Sequence, residues 1–208
     1  MTITVHHLEN SRSQRVLWML EELGLPYAIK RYERNTKTML APPELKAVHP
    51  LGKSPVIEDD GRTIIESGAI VEWLCLRHGG RALLPDPEDP AYPEHLELMH
   101  FAEGSAMLPI LLQLYTGRLG DAAAPLRPRI DEQLNAHFDE MERRLRPSGH
   151  FVLDRLSAAD VMLSFPAEVA HVQGRTATRP KLAAFVNWVH AQPAWRRALE
   201  KGGPYAYA

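Results

Sequence analysis

The chain has 208 residues, 45% hydrophobic and 24% charged, and its 24 Lys and Arg against 26 Asp and Glu give a formal net charge of -2. That is the balance of a globular protein with a proper buried core, which excludes a disordered or bilayer-embedded chain, and without a basic surplus neither nucleic acid nor a membrane is an expected partner. Cys75 is the only cysteine, which excludes an internal disulfide or a CxxC pair; with an N-terminus lacking a cationic lead and an apolar signal core, the expected compartment is the cytoplasm.

Ile3 to His7 alternates apolar and polar and reads as a strand, followed by the polar turn Glu9-Asn10-Ser11-Arg12. A helix follows, capped by Ser13, with Val16, Leu17, Leu20 and Leu23 on one face and Gly24 and Pro26 stopping it. Tyr27 to Tyr32 reads as a second strand, and Pro42 to Lys46 as a short helix entered through proline. Val56-Ile57-Glu58 and Thr63-Ile64-Ile65 flank Asp59-Asp60-Gly61, a hairpin because Asp-Gly supplies the backbone angles a tight turn needs. Ser67 then caps a helix with Ile70, Val71 and Leu74 inward, ending at Gly79-Gly80. Cys75 sits inside that helix, where a small buried hydrophobe is the ordinary outcome.

Between Arg81 and Pro93 the chain carries Pro85, Pro87, Pro90 and Pro93 among acidic residues, which marks a stiff linker. Beyond it the patterns are helical. Ile130, Leu134, Phe138, Met141 and Leu145 recur by three and four, and Leu96 to Tyr115 is a long helix kinked by Gly104 and Pro109. Ser157-Ala158-Ala159-Asp160 reads as a structural capping box with Asp in the usual Glu position. Pro180 opens the last helix, which Pro193 ends. The expected layout is residues 1–80 as one domain, 81–92 as linker and 93–208 as an all-α domain.

A βαβ-ββα unit joined to a helical domain resembles the cytosolic glutathione transferases. The matching motifs are Asn10-Ser11-Arg12-Ser13-Gln14-Arg15-Val16, His49-Pro50-Leu51-Gly52-Lys53-Ser54-Pro55, Glu66-Ser67-Gly68-Ala69-Ile70 and Ser157 to Asp160. The resemblance implies an α/β thioredoxin-like N-terminal domain with an all-α C-terminal domain. It also implies glutathione as co-substrate, a small hydrophobic electrophile as second substrate and a homodimer.

The start of the Ser67 helix offers unpaired amides and a positive dipole end suited to a carboxylate, and Glu66 beside it suits an ammonium, so the pair matches the γ-glutamyl end of glutathione. The resemblance places a cis peptide bond at Ser54-Pro55, which would turn the Ser54 backbone toward the cysteinyl group, and Lys53 on the glycine carboxylate. Arg12 adds positive potential, and Glu103 is expected to reach glutathione across a dimer interface. The ten histidines include no convincing ligand spacing, so no metal is expected.

A free thiol near pKa 8.5 is mostly protonated at neutral pH, and only the thiolate attacks. Lowering that pKa by about two units requires roughly 2.7 kcal/mol. A hydroxyl donor supplies about 1.5 to 3 kcal/mol and a helix N-terminus about 0.3 to 1 more. Ser11 is the preferred catalytic donor, matching serine-type transferases. Asn10 is the alternative by register and Ser13 a third; no tyrosine or cysteine stands at the turn. Peroxidase, dehalogenase or isomerase chemistry on the same thiolate, or glutathione binding without turnover, are the other readings.

Overall fold

The computed structural model describes residues 2–208. The chain divides into two compact units, one of residues up to Leu84 together with Val189–Ala208 and one of Pro85–Trp188.

The first unit is built on a four-stranded sheet of β1 (Ile3–Leu8), β2 (Tyr27–Tyr32), β3 (Val56–Asp59) and β4 (Arg62–Ile65), in the order β2-β1-β3-β4. β1 and β2 run parallel with Ile3 opposite Tyr27 and Leu8 opposite Tyr32, joined by α1 (Ser13–Glu22) as the crossover. β3 is antiparallel to β1, ending the register at His6 opposite Val56, and pairs with β4 through a two-residue turn. In that turn Asp60 and Gly61 have φ of 49° and 75°, the pair of positive angles a tight hairpin requires. α2 (Glu44–Val48) places Leu45 against Leu8 and Tyr32 at the end of the sheet, and α3 (Ser67–Arg77) follows β4.

α3 is pinned to the sheet through buried Asp59, whose carboxylate accepts from Trp73 Nε1 and His78 Nε2, each at 2.7 Å. Burial opposes the Asp59 charge, but the two donors prevail and hold its carboxyl below the usual range. Cys75 is buried in α3, and burial pushes its thiol up to about 12.

The helix opened by Pro180 ends before Pro193 as expected, but it is not the last. After α8 (Pro180–Ala191) Pro193 stands in the first turn of a further helix, α9 (Pro193–Gly202), where a missing amide hydrogen carries no penalty. α9 turns Ala194, Trp195, Ala198 and Gly202 inward and belongs with the sheet-containing unit, a departure from the expected boundary. It lies on α1, with Arg197 and Lys201 both bonded to the Glu21 carboxylate. This explains why α1 is buried from Ser13 to Glu21 rather than on one face.

The second unit contains α4 (Tyr92–Phe101), α5 (Met107–Gly117), α6 (Arg127–Arg144) and α7 (Ala158–Val172). α4 begins at Tyr92 with Pro93 in its first turn, so the proline-rich segment ends inside a helix. The expected kink between Leu96 and Tyr115 is a π-helical segment, Ala102–Ala106, that contains Gly104 and lies just before Pro109. Along α5, Met107 and Ile110 are buried whereas Leu108, Leu112 and Tyr115 are exposed. α7 is buried from Ala158 to Ala170 and starts with a complete capping box between Ser157 and Asp160. The helical spacing of Ile130, Leu134, Phe138 and Met141 is a buried stripe on α6. No helix among the described residues is long and apolar enough to cross a membrane.

Candidate active site

The turn that leaves β1 is fixed from several sides. The Arg34 guanidinium donates to the carbonyls of Glu9 and Asn10, and the Arg34 amide donates to the Glu9 carboxylate at 2.7 Å. Asn10 has a φ of 47°, which asparagine tolerates, and its Oδ1 accepts the Ala206 amide at 2.7 Å. That bond leaves the Asn10 Nδ2 as its donor.

Ser11 is 6% exposed, and its Oγ accepts the Ser13 amide at 3.2 Å. Ser13, expected as the helix cap, is the first helical residue, and α1 opens with no side-chain cap bond. Ser13 points back into the fold instead, with its Oγ 2.8 Å from Ser11 Oγ and 2.8 Å from His7 Nδ1. Arg12 is half-buried, and its carbonyl accepts from the Arg15 amide at 3.3 Å and from Arg15 Nε at 3.4 Å.

The Ser54-Pro55 peptide bond is cis. Ser54 Oγ donates to the His6 carbonyl at 2.8 Å and accepts the Leu8 amide at 3.2 Å. These two bonds continue the pairing of β1 beyond the point where β3 begins, so the segment before Pro55 is held beside the end of β1. Lys53 next to it is exposed.

α3 opens without a side-chain cap. Its ladder starts with Ile70 N–H to the Glu66 carbonyl at 2.9 Å, so helix geometry leaves the preceding amides for an outside acceptor. Ser67, expected as the cap, is the first helical residue, and its Oγ accepts from Arg15 Nη2 at 3.1 Å. Glu66 stands exposed at φ 67°, a conformation that costs a non-glycine residue on the order of 1 to 3 kcal/mol and is concentrated at functional sites.

Hydrogen bonds thus connect four of the expected residues into one continuous region: Ser54 meets Leu8, Ser13 joins Leu8 to Ser11, and Arg15 on the first turn of α1 reaches Ser67 beside Glu66. Glu103 is half-buried on the π-helical segment of the second unit.

Arg15 and His7 were not among the expected site residues. Arg15 is only 1% exposed, a placement rare for arginine, and it sets a fixed positive charge below the open end of α3. Its position within an apolar-faced helix was the available signal. Among the described residues no group of three or more His, Cys, Asp or Glu is placed to hold a metal ion.

Residues 11–77 match the glutathione S-transferase N-terminal domain model, and residues 124–201 match the C-terminal domain model of the same family. Glutathione S-transferase 3 of Schizosaccharomyces pombe is 36% identical over 216 residues, covering 96% of this chain and 87% of that relative. A crystal structure of a glutathione S-transferase from Actinobacillus pleuropneumoniae superposes with a TM-score of 0.88 at 32% identity, covering 99% of this chain and 95% of the other. A more distant one from Methylobacterium radiotolerans, in complex with glutathione sulfonate, has a TM-score of 0.80 at 23% identity, covering 99% and 96%. The chain belongs to the glutathione S-transferase family, and its sheet-containing unit has the thioredoxin-like fold of that family.

Proposed function

We propose that this chain binds glutathione along the end of β1 and the start of α3, and conjugates its thiolate to small hydrophobic electrophiles. The observation that carries the reading is the uncapped start of α3, where buried Arg15 holds Ser67. A carboxylate is the natural acceptor there, and Glu66 supplies the charge for the neighbouring ammonium. Lys53 takes the glycine carboxylate, and the Ser54 backbone pairs with the cysteinyl residue.

Ser11 donates its hydroxyl to the sulfur. Asn10 is the alternative donor: with its amide oxygen tied to Ala206, it would meet the sulfur through Nδ2. The chemical step then needs only a thiolate and an electrophile held together. The second substrate is a small apolar electrophile, and the enzyme acts as a homodimer in the cytoplasm.

Steady-state conjugation of glutathione to an aryl halide tests this. Ser11→Ala is expected to lower kcat/KM about a hundredfold, the loss of one charge-directed donor, with Asn10→Ala within about fivefold of wild type. The reverse order would move the donor to Asn10, and an inactive wild type that still binds glutathione would leave a binding protein.

A further inference from the structure

We propose that His7 and Ser13 are positioning residues for this reaction: the imidazole fixes Ser13, and Ser13 fixes the Ser11 hydroxyl where the glutathione sulfur meets it. The inference rests on the reading of Ser11 as the thiolate donor.

His7 is 3% exposed at the end of β1, with Nδ1 at 2.8 Å from Ser13 Oγ. The other edge of the ring, Nε2, faces the Gly202 backbone in the last turn of α9. Gly202 allows that approach, since a Cβ there would lie 2.9 Å from Leu17 Cδ1, 3.0 Å from Gln14 Oε1 and 3.4 Å from His7 Nε2. We place the ring hydrogen on Nε2, toward the Gly202 backbone, so that Nδ1 offers a lone pair to Ser13.

The direction of the remaining bonds follows from counting hydrogens. Ser13 has one hydroxyl hydrogen, with His7 Nδ1 at 2.8 Å as its nearer acceptor and the Leu8 carbonyl at 3.3 Å, so in the 2.8 Å contact between the two serines Ser11 is the donor and Ser13 the acceptor. Ser11 Oγ also accepts the Ser13 amide, which leaves its hydroxyl hydrogen as the group free to swing from Ser13 to a ligand. A thiolate, being charged, is the stronger acceptor of the two. Without the lone pair of His7, Ser13 keeps only the longer bond to the Leu8 carbonyl, 3.3 Å, and holds Ser11 less firmly.

The imidazole is not the base that receives the thiol proton. Burial and the Arg31 charge on β2 drive its pKa down to about 4, against a smaller opposing effect of Glu9 beyond β1, while α9 presents the Gly202 backbone. The thiol proton leaves to solvent, and His7 stays neutral throughout.

The test is a pH titration of glutathione thiolate absorbance on wild type, Ser11→Ala, His7→Leu, His7→Asn and Ser13→Ala, with aryl halide kinetics alongside. His7→Leu and Ser13→Ala are each expected to raise the bound thiol pKa by about one unit, with kcat about tenfold lower between the bound and free pKa values and the glutathione KM within about twofold. His7→Asn, whose Oδ1 replaces the Nδ1 acceptor, is expected to recover most of that shift. If Ser11→Ala raises the pKa but Ser13→Ala and both His7 variants match wild type, the inference is overturned and the Ser11 reading stands. If Ser11→Ala leaves the pKa unmoved, the Ser11 reading itself fails. Should His7→Leu not fold, Ser13→Ala decides, and a wild-type pKa in that variant overturns the inference.

Discussion

α3 begins at Ser67-Gly68-Ala69 and α7 is entered through Ser157-Ala158-Ala159, similar small-residue segments, yet their first turns are used in opposite ways. At α7 the Asp160 carboxylate accepts the Ser157 amide at 2.7 Å, the Ser157 hydroxyl at 2.6 Å and the Phe151 amide at 2.9 Å, and Ser157 returns a bond to the Asp160 amide. At α3 no side chain closes the turn, the preceding residue sits at positive φ, and the serine is occupied by a buried arginine. A helix end sealed in the interior stabilises the fold, whereas an open end backed by a buried cation is available to an anion. The serine thus caps α7 from just outside its first turn, whereas in α3 it is the first helical residue and leaves the start open.

The largest effect that would break this contrast is on stability. Asp160→Ala strands three buried donors and should lower the unfolding free energy by about 3 to 5 kcal/mol in urea titrations. Ser67→Ala, by contrast, should change stability by no more than about 1 kcal/mol while weakening glutathione binding about tenfold in calorimetry. If Ser67→Ala destabilised the fold as much as Asp160→Ala does, α3 would be a structural helix start like α7.

A second effect follows from His7. Its pKa is lowered from 6.5 to about 4 in the folded protein, so below 6.5 the unfolded chain takes a proton that the folded one refuses. Its contribution is complete above pH 6.5 and is lost as pH falls toward about 4, at up to about 1.4 kcal/mol per pH unit. His6 is lowered in the same direction, by burial first, and adds to the slope. His7→Asn should flatten the acid limb of the stability profile by one proton; an unchanged limb would show that His7 titrates normally.

The smallest expected effect is at Lys53. It is exposed, so Lys53→Met should leave stability unchanged and raise the glutathione KM by about threefold, as for a solvent-screened ion pair.

Much of this was legible in the chain itself, because the signals are local. Asp60-Gly61 announces the hairpin, Ser157 and Asp160 the capping box, and the β1 to β4 order follows from short apolar runs and their breakers. The resemblance placed the cis bond at Ser54-Pro55. What stayed hidden depends on contacts between residues far apart in sequence. Ser13 looks like a cap until His7 is seen beneath it, and Ser67 looks like a cap until Arg15 reaches it. The pattern of α9 is amphipathic, with Trp195, Ala198 and Gly202 inward, but nothing local says that α1 is its partner. Pro193 was read as a stop because proline both ends helices and opens them, and only the following residues distinguish the two.

The most direct test of the account is the pKa of the glutathione thiol bound to the wild-type protein, followed by thiolate absorbance across pH against free glutathione. The account predicts a bound value about two units below the free thiol near 8.5. A bound value equal to the free one, with binding intact, would contradict it.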